Sequence, residues 1–284
     1  MVRKTLVTLF LFAVLCLVPA PSSAQTPPPD GRAELFELVL KDGSRIYGSI
    51  VSETDAEVVF KSQSGATVTA RRQDIVSLKQ VKGRIEKGVF LRTDLHRSRL
   101  FFAPTGRSLE KGQVSVGVFQ FLAPFVQVGV TDRFSLGGGT PLIFGIDEEY
   151  RPFWITPKFK VYDSPKTQVS VGLLQLFNLD NDNAGIAYGV GTFGDSDNAG
   201  TVGIGYGYDG SGGRTVIVMG GAEGRVRSNL KLITENYLWK NGDGIISGGV
   251  RFLGERLSAD LALAVPIGIG DFFAFPVVNF VYVF

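Results

Sequence analysis

From about residue 114 onward, apolar and small or polar side chains alternate one for one, in short runs broken by turns. Val114, Val116 and Val118 enclose Ser115 and Gly117, and Val126, Val128 and Val130 enclose Gln127 and Gly129. Phe153, Ile155, Phe159 and Val161 alternate with Lys158 and Lys160, and Val169, Val171 and Leu173 with Ser170 and Gly172. The pattern continues through Val202, Ile204, Tyr206 and Tyr208, through Leu230 and Leu232, and through Leu257, Ala259, Leu261 and Leu263. A period of two marks strands with two unlike faces, because successive side chains leave the pleat on opposite sides. With weaker runs near residues 134–145, 185–195, 213–223 and 244–253, the pattern predicts about twelve strands, an even number that suits a closed membrane barrel. Both barrel ends then lie on one side, and Ile146–Arg151, Asn178–Asn183 and Asp209–Gly213 become short loops on the other.

The two chain ends bear on location. Arg3 and Lys4 precede an apolar run from Thr5 to Val18, and small residues up to Ala24 follow, which is the layout of a secretory signal peptide over residues 1–24. The run is shorter than the roughly 20 residues a membrane helix needs. Cys16 follows Leu15, a poor context for lipoprotein processing, and cleavage after Ala24 removes this one cysteine. At the other end Val278, Phe280, Tyr282 and Phe284 share one face of the last strand. Phe280, Tyr282 and Phe284 are expected to form the barrel-insertion signal, with the barrel-assembly machinery and outer-membrane lipid as partners. Phe125, Phe134, Phe144, Trp154, Tyr237 and Trp239 near strand ends suggest the aromatic girdles of a membrane interface.

Residues 25–33 form a Pro-rich tether. Residues 34–80 then hold short strands and tight turns: Glu34–Lys41, an Asp42-Gly43 hairpin signal, Ser44–Thr54, Glu57–Lys61, Thr67–Arg71 and Asp74–Leu78. Leu40–Val51 with its Asp-Gly turn, Gly48 on the second strand and the late Asp74–Leu78 element resemble the SH3-like or Sm-like small β-barrel that fronts many secreted bacterial proteins. That resemblance implies a small periplasmic barrel over residues 34–80, and peptidoglycan or a periplasmic partner is the candidate ligand. An exported copy meets no RNA, and no nucleic-acid partner is expected. Residues 81–97, with Lys82, Arg84, Glu86, Lys87, Arg92, Asp94, His96 and Arg97, read as a charged linker, followed by the main barrel over residues 98–284. Leu100–Gly112 and Val128–Gly139 resemble a widespread group of uncharacterised bacterial outer-membrane β-barrel proteins. The resemblance covers most of residues 97–284 and implies a location without a reaction.

The expected fold class is therefore all-β: a transmembrane antiparallel barrel of about twelve strands behind a small SH3/Sm-like barrel. Net charge is +2, with 29 basic against 27 acidic residues, which gives no general case for nucleic acid. Catalysis has little to stand on, since the single His96 falls in the linker and reads as a solvated side chain. A lipid-acting enzyme would need a serine beside that histidine. Asp180, Asp182, Asp195 and Asp197 could bind a hard cation but match no complete ligand loop, and turn chemistry accounts for them. Gly203–Gly207 lies inside a strand with no helix after it and is no phosphate loop. No metal and no cofactor are expected.

The lumen charges carry the functional question. With the apolar phase facing lipid, Lys158, Lys160, Arg227, Lys231 and Arg251 point inward, opposed by Glu235 and Asp260. An Arg or Lys facing mid-membrane lipid would cost about 2–4 kcal/mol, which favours the inward placement. A basic surplus would favour anions in a narrow channel. The same groups could instead pair in a closed lumen and serve stability, and both outcomes stay open at this point.

Overall fold

The computed structural model describes residues 34–142, 151–179, 182–239, 242–268 and 273–284. The expected signal peptide and tether, with Phe144 and Asp180, lie outside them. The chain divides into two compact units, the first built on residues up to Gln80 and the second running from Val81 to Phe284 apart from short exchanged loop pieces.

The first unit is an antiparallel sheet of β1 (Phe36–Leu40), β2 (Arg45–Glu53), β3 (Glu57–Ser62), β4 (Thr67–Arg71) and β5 (Ile75–Gln80), in the order β4-β3-β2-β1-β5. It is a five-stranded sheet, not the closed small barrel expected for residues 34–80. Leu38, Phe60 and Ala70 form its core, with Phe36, Ile46, Ile50 and Leu78 packed around them. The Asp42-Gly43 turn forms as its residues dictate: Gly43 has φ +85, and Asp42 Oδ1 accepts from Ser44 N at 2.8 Å. On the other face, Glu37 is buried (1% exposed) where it is flanked in register by Tyr47 on β2 and Lys79 on β5. Its Oε1 accepts from Tyr47 Oη at 2.7 Å, while Lys79 Nζ and Arg45 Nη1 stand 3.4 Å away. Burial pushes this carboxyl up, but the bonds from Tyr47 and Lys79 outweigh it and hold it below its ordinary value.

In the second unit a hairpin, β6 (Gly83–Glu86) and β7 (Val89–Arg92), turns on Lys87 and Gly88, both at positive φ. Residues 81–97 are thus partly ordered structure, where the sequence suggests a linker. The wall follows: β8 (Val114–Phe119), β9 (Ala123–Gly129), β10 (Phe134–Gly139), β11 (Phe153–Ser164), β12 (Thr167–Leu179), β13 (Asp182–Gly194), β14 (Asn198–Asp209), β15 (Arg214–Arg227), β16 (Leu230–Leu238), β17 (Gly244–Leu253), β18 (Leu257–Ile267) and β19 (Phe275–Val283). These twelve strands form a closed antiparallel barrel. β19 seals it against β8, with Phe280 opposite Val118 and Val283 opposite Ser115. Phe280 is half-buried, whereas Tyr282 and Phe284 are exposed and meet edge to face with centroids 4.9 Å apart.

The barrel is inside out relative to a water-soluble one. Val116, Phe159, Val171, Ile204, Val218, Leu232, Ile246, Leu261 and Tyr282 are exposed on its exterior, while Lys158, Glu223, Lys231, Arg251, Asp260 and Asn279 are buried within. The phase slips at two bulges near the mouth where the chain enters and leaves the wall, between Lys160 and Tyr162 and between Arg225 and Arg227. The second bulge corrects one expectation. Arg227 pairs with Leu230 and is exposed, so it is not a lumen charge. Two girdle residues also turn inward: Phe125 is 5% exposed and stacked on Phe119, and Tyr237 packs against the buried interior cluster.

Glu37→Gln keeps the hydrogen-bonding shape but removes the charge that Lys79 and Arg45 face. A native pKa held below the unfolded one adds stability at neutral pH that is lost as pH falls through the native value. We expect the variant to unfold its sheet at lower urea than the parent at pH 7, by about 1 kcal/mol, with the difference shrinking on acidification. Unfolding followed by tyrosine fluorescence at several pH values checks this.

Candidate functional site, the barrel lumen

The wall begins at Val114, where the alternation starts, so the first residues of the segment 98–284 precede the wall. The residues just before it fold back inside the barrel as a strap whose two limbs run antiparallel. Thr105 N donates to Ser98 O at 3.0 Å, Arg99 bridges Pro104, and Leu100 N closes a tight turn on Ala103 O at 2.9 Å. At the turn, Leu100, Phe101 and Ala103 pack against Val190, Met219, Ile233, Ala264 and Val277 from the wall.

A two-limbed strap without a sheet partner leaves carbonyls that must find donors in a place water does not reach. The wall provides them. Lys158 Nζ donates to three carbonyls, of Ser98, Thr105 and Arg107, at 2.9, 3.4 and 2.6 Å. Arg251 Nη2 donates to Leu100 O at 2.6 Å, and its Nη1 reaches His96 O and Arg99 O, each at 3.3 Å. Asn279 Nδ2 takes Phe101 O at 3.1 Å, and Ser170 Oγ takes Gly106 O at 2.8 Å. In the reverse sense, Glu235 Oε2 accepts from Phe102 N and Ala103 N at 2.9 and 3.0 Å, and Thr192 Oγ1 accepts from Gly106 N at 2.9 Å. These groups come from strands all round the wall.

The ion pairs interlock with these bonds. Arg251 holds Asp260 through two nitrogens, at 2.7 and 3.1 Å, in the bidentate geometry that suits guanidinium and carboxylate. Asp94, on the strap, stands 3.0 Å from Lys231 and 3.5 Å from Arg251. Lys231 also pairs with Glu223 at 2.9 Å, and Glu223 in turn pairs with Arg107 of the strap. Arg99 lies over the rings of Phe119 and Phe125, 4.8 and 4.9 Å from their centroids. Among the described residues the buried charges of the wall strands are three cations (Lys158, Lys231, Arg251) and three carboxylates (Glu223, Glu235, Asp260), and the strap adds Arg99, Arg107 and Asp94. In the wall itself the expected basic surplus is gone.

Sequence reasoning placed Lys158, Lys231, Glu235, Arg251 and Asp260 inward, and all five are buried there. Lys160 sits at the mouth, paired with Asp163. The strap partners Asp94, Arg99 and Arg107 and the wall residue Glu223 were missed. One signal was on hand: Gly106 falls in the Leu100–Gly112 segment and has no room for a side chain, since a Cβ would lie 2.0 Å from Gln168 O. His96 corrects another expectation, being 3% exposed, with its backbone N bound to Asp94 and its Nε2 without a hydrogen-bond partner. Asp195 closes a turn on Asp197 N and Asn198 N, and Asp197 pairs with Arg84 and Arg225. Among the described residues no group of three or more His, Cys, Asp or Glu could hold a metal.

No protein-family model matches the chain. No curated protein matches it either. Among solved structures it is similar to "KdgM porin in complex with disordered oligogalacturonate", with a TM-score of 0.47 and 7% identity over 60% of this chain and 96% of that one. It is also similar to a loop-L8 deletion mutant of OmpT, an outer membrane protein of Vibrio cholerae, with a TM-score of 0.35 and 11% identity over 89% of this chain and 97% of that one. A third likeness, to Salmonella typhi OmpF in complex with daunomycin, has a TM-score of 0.34 and 9% identity. At these TM-scores no solute passes from those proteins to this one.

Lys231→Met leaves Asp94 and Glu223 buried without their shared cation, and breaking such a pair costs about 3–5 kcal/mol. We expect the temperature at which the folded barrel loses its compact gel mobility to drop sharply. Gly106→Val drives the return limb off β12, and trypsin should then cut at Arg99 or Arg107, which the folded parent buries. Mass spectrometry of the fragments reads this out.

Proposed function

We propose that this chain is an outer-membrane β-barrel protein whose lumen its own strap keeps closed, with a structural or binding role and not that of a standing pore. The membrane part rests on the inverted surface. Exposed large apolar side chains occur on most of the twelve strands, and a soluble monomer rarely shows a contiguous apolar patch beyond a few hundred Å². Lipid is the solvent in which that exterior is stable. The single observation that carries closure is Lys158, whose ammonium is spent on three strap carbonyls. A cation so engaged is not available to a passing anion.

Among the described residues, the buried wall cations Lys158, Lys231 and Arg251 are all engaged while the strap is seated, which leaves the narrow anion-preferring channel without a free cation row there. A lipid-acting enzyme fares worse: among the described residues no serine hydroxyl is hydrogen-bonded to His96. Residues 34–80 would lie on the periplasmic side and bind peptidoglycan or a periplasmic protein, a reading that rests on their place in the chain ahead of the barrel. A Cβ at Gly48 would lie 2.0 Å from Lys61 O, so β2 and β3 approach there as closely as backbone permits.

The full chain in planar bilayers is expected to pass no stepwise current, whereas deletion of residues 97–107 should give steps; steady current from the intact chain would reject closure. Leu261→Arg puts a charge on the exterior face and should cost folding in lipid vesicles about 2–4 kcal/mol, while Ser258→Arg perturbs only the inside. A chain that stays monodisperse in buffer without detergent would reject the membrane assignment. Sedimentation of the full chain with purified peptidoglycan tests the N-terminal unit, and no co-sedimentation would count against that ligand.

A further inference from the structure

The side chains that fasten the strap occupy the half of the lumen where the chain enters, and the same inward faces turn apolar beyond the strap tip. Alternate residues of a strand share a face, and so do residues directly paired across strands. Asp260 leads along β18 to Ala262 and Ala264, Thr192 along β13 to Val190, Tyr188 and Ile186, and Glu223 along β15 to Met219 and Ile217. Met219 stands opposite Tyr237, Tyr237 opposite Ile245, and Ile245 opposite Pro266. Further out, Leu174, Ile186, Gly207 and Thr215 form one paired row across four strands. Ile204 and Tyr206 face out, so Gly205 and Gly207 face in, and a Cβ there would meet Ile186 at 2.8 Å and Ile217 at 3.7 Å respectively.

This lining is apolar, yet it is not a closed core. Val190, Met219, Ile233, Ala264 and Val277 are buried around the strap tip, whereas Tyr188, Tyr237, Ile245, Ala262 and Phe275 beside them are only half-buried. Leu174, Ile186 and Ile217 in the outer rows are half-buried as well. Phe102, at the turn of the strap, is 39% exposed, although Leu100 and Phe101 before it are fully buried. Tyr237 spends its hydroxyl on Glu235 Oε1 at 2.8 Å and offers the space its ring. None of these inward positions beyond Glu235 carries a charge. Apolar surface therefore lines a space that solvent reaches, which is unfavourable if water is all that fills it.

We propose that the far half of the lumen is a blind apolar cup that takes the hydrocarbon chain of a fatty acid. The proposal rests on the closed-barrel reading above, because the seated strap is the floor of the cup. The wall is closed by strand pairing all the way round, so a bilayer lipid has no side entry. With the strap across the near half, a single-chain molecule arriving at the far mouth is the occupant that fits, its carboxylate left in water. From Met219 out to Thr215 there are two further inward rows on β15. At ~3.4 Å per residue and a tilt of about 40°, those rows span roughly 10 Å of axis, the length of on the order of eight extended methylenes.

Equilibrium dialysis of the full chain in lipid nanodiscs against radiolabelled hexanoate, octanoate, decanoate, dodecanoate and tetradecanoate tests this. Empty nanodiscs are the blank, and the absence of detergent keeps competing alkyl chains away. Affinity should rise about fourfold per added methylene, the worth of burying one, until the chain reaches Phe102. Beyond that length it should level off, whereas partition into bilayer keeps rising. Phe102→Ala deepens the cup and should move the plateau to longer chains. Ile217→Ser should weaken octanoate and decanoate several-fold, and Val216→Ala, its neighbour on the lipid face, should leave them unchanged. No saturable uptake above the blank, a rise without a plateau, or a plateau that Phe102→Ala does not move overturns the cup. If the same preparation passes no stepwise current in planar bilayers, that failure leaves the closed barrel standing, whereas stepwise current rejects closure itself.

Discussion

The second unit is organised by one constraint: polar groups enclosed by a barrel wall must find partners inside it. The wall places Lys158, Glu223, Lys231, Glu235, Arg251 and Asp260 in its interior, where each would be costly alone. The strap brings backbone carbonyls and amides that would be equally costly. Each solves the other's problem. Arg251 shows it most fully, since a single guanidinium serves Asp260, Asp94 and three strap carbonyls.

Such a filling is specific in a way that an apolar one is not. Leu, Val and Met can repack in several ways at similar energy, but a carboxylate that accepts Phe102 N and Ala103 N fixes the strap to one register. The strap is also held by geometry. Gly106 allows it to lie against the backbone of β12, and Gly129 does the same where Glu110 O would meet a Cβ at 2.0 Å. A lumen closed by ion pairs and hydrogen bonds differs from one closed by grease, because its fastenings are ones that competing charge or a mechanical pull can release singly.

Much of the wall was legible from alternation. Strand pairing turns a period of two directly into an inside and an outside, which is how Lys158, Lys231, Glu235, Arg251 and Asp260 were assigned inward from their neighbours alone; the structure buries all five. Arg227 was not, because a bulge inserts one residue and the phase that held up to Arg225 no longer applies. Nothing in the local composition announces that extra residue. The five-stranded N-terminal sheet follows its turn signals, with Gly43 at the position that needs positive φ, but closure into a small barrel does not follow from strand count.

By itself the amino-acid order pointed to the all-β class, to about twelve strands and to the greasy face of most of them, since alternation depends on residues adjacent in sequence. Only the tertiary structure decided that the segment around Leu100–Arg107 occupies the interior, and that Asp94 and Arg107 balance the charges of a wall more than a hundred residues downstream. The reason is physical. A strap has no period of its own; its polar backbone is satisfied by side chains distant in sequence, and that complementarity exists only once the cylinder has closed around it.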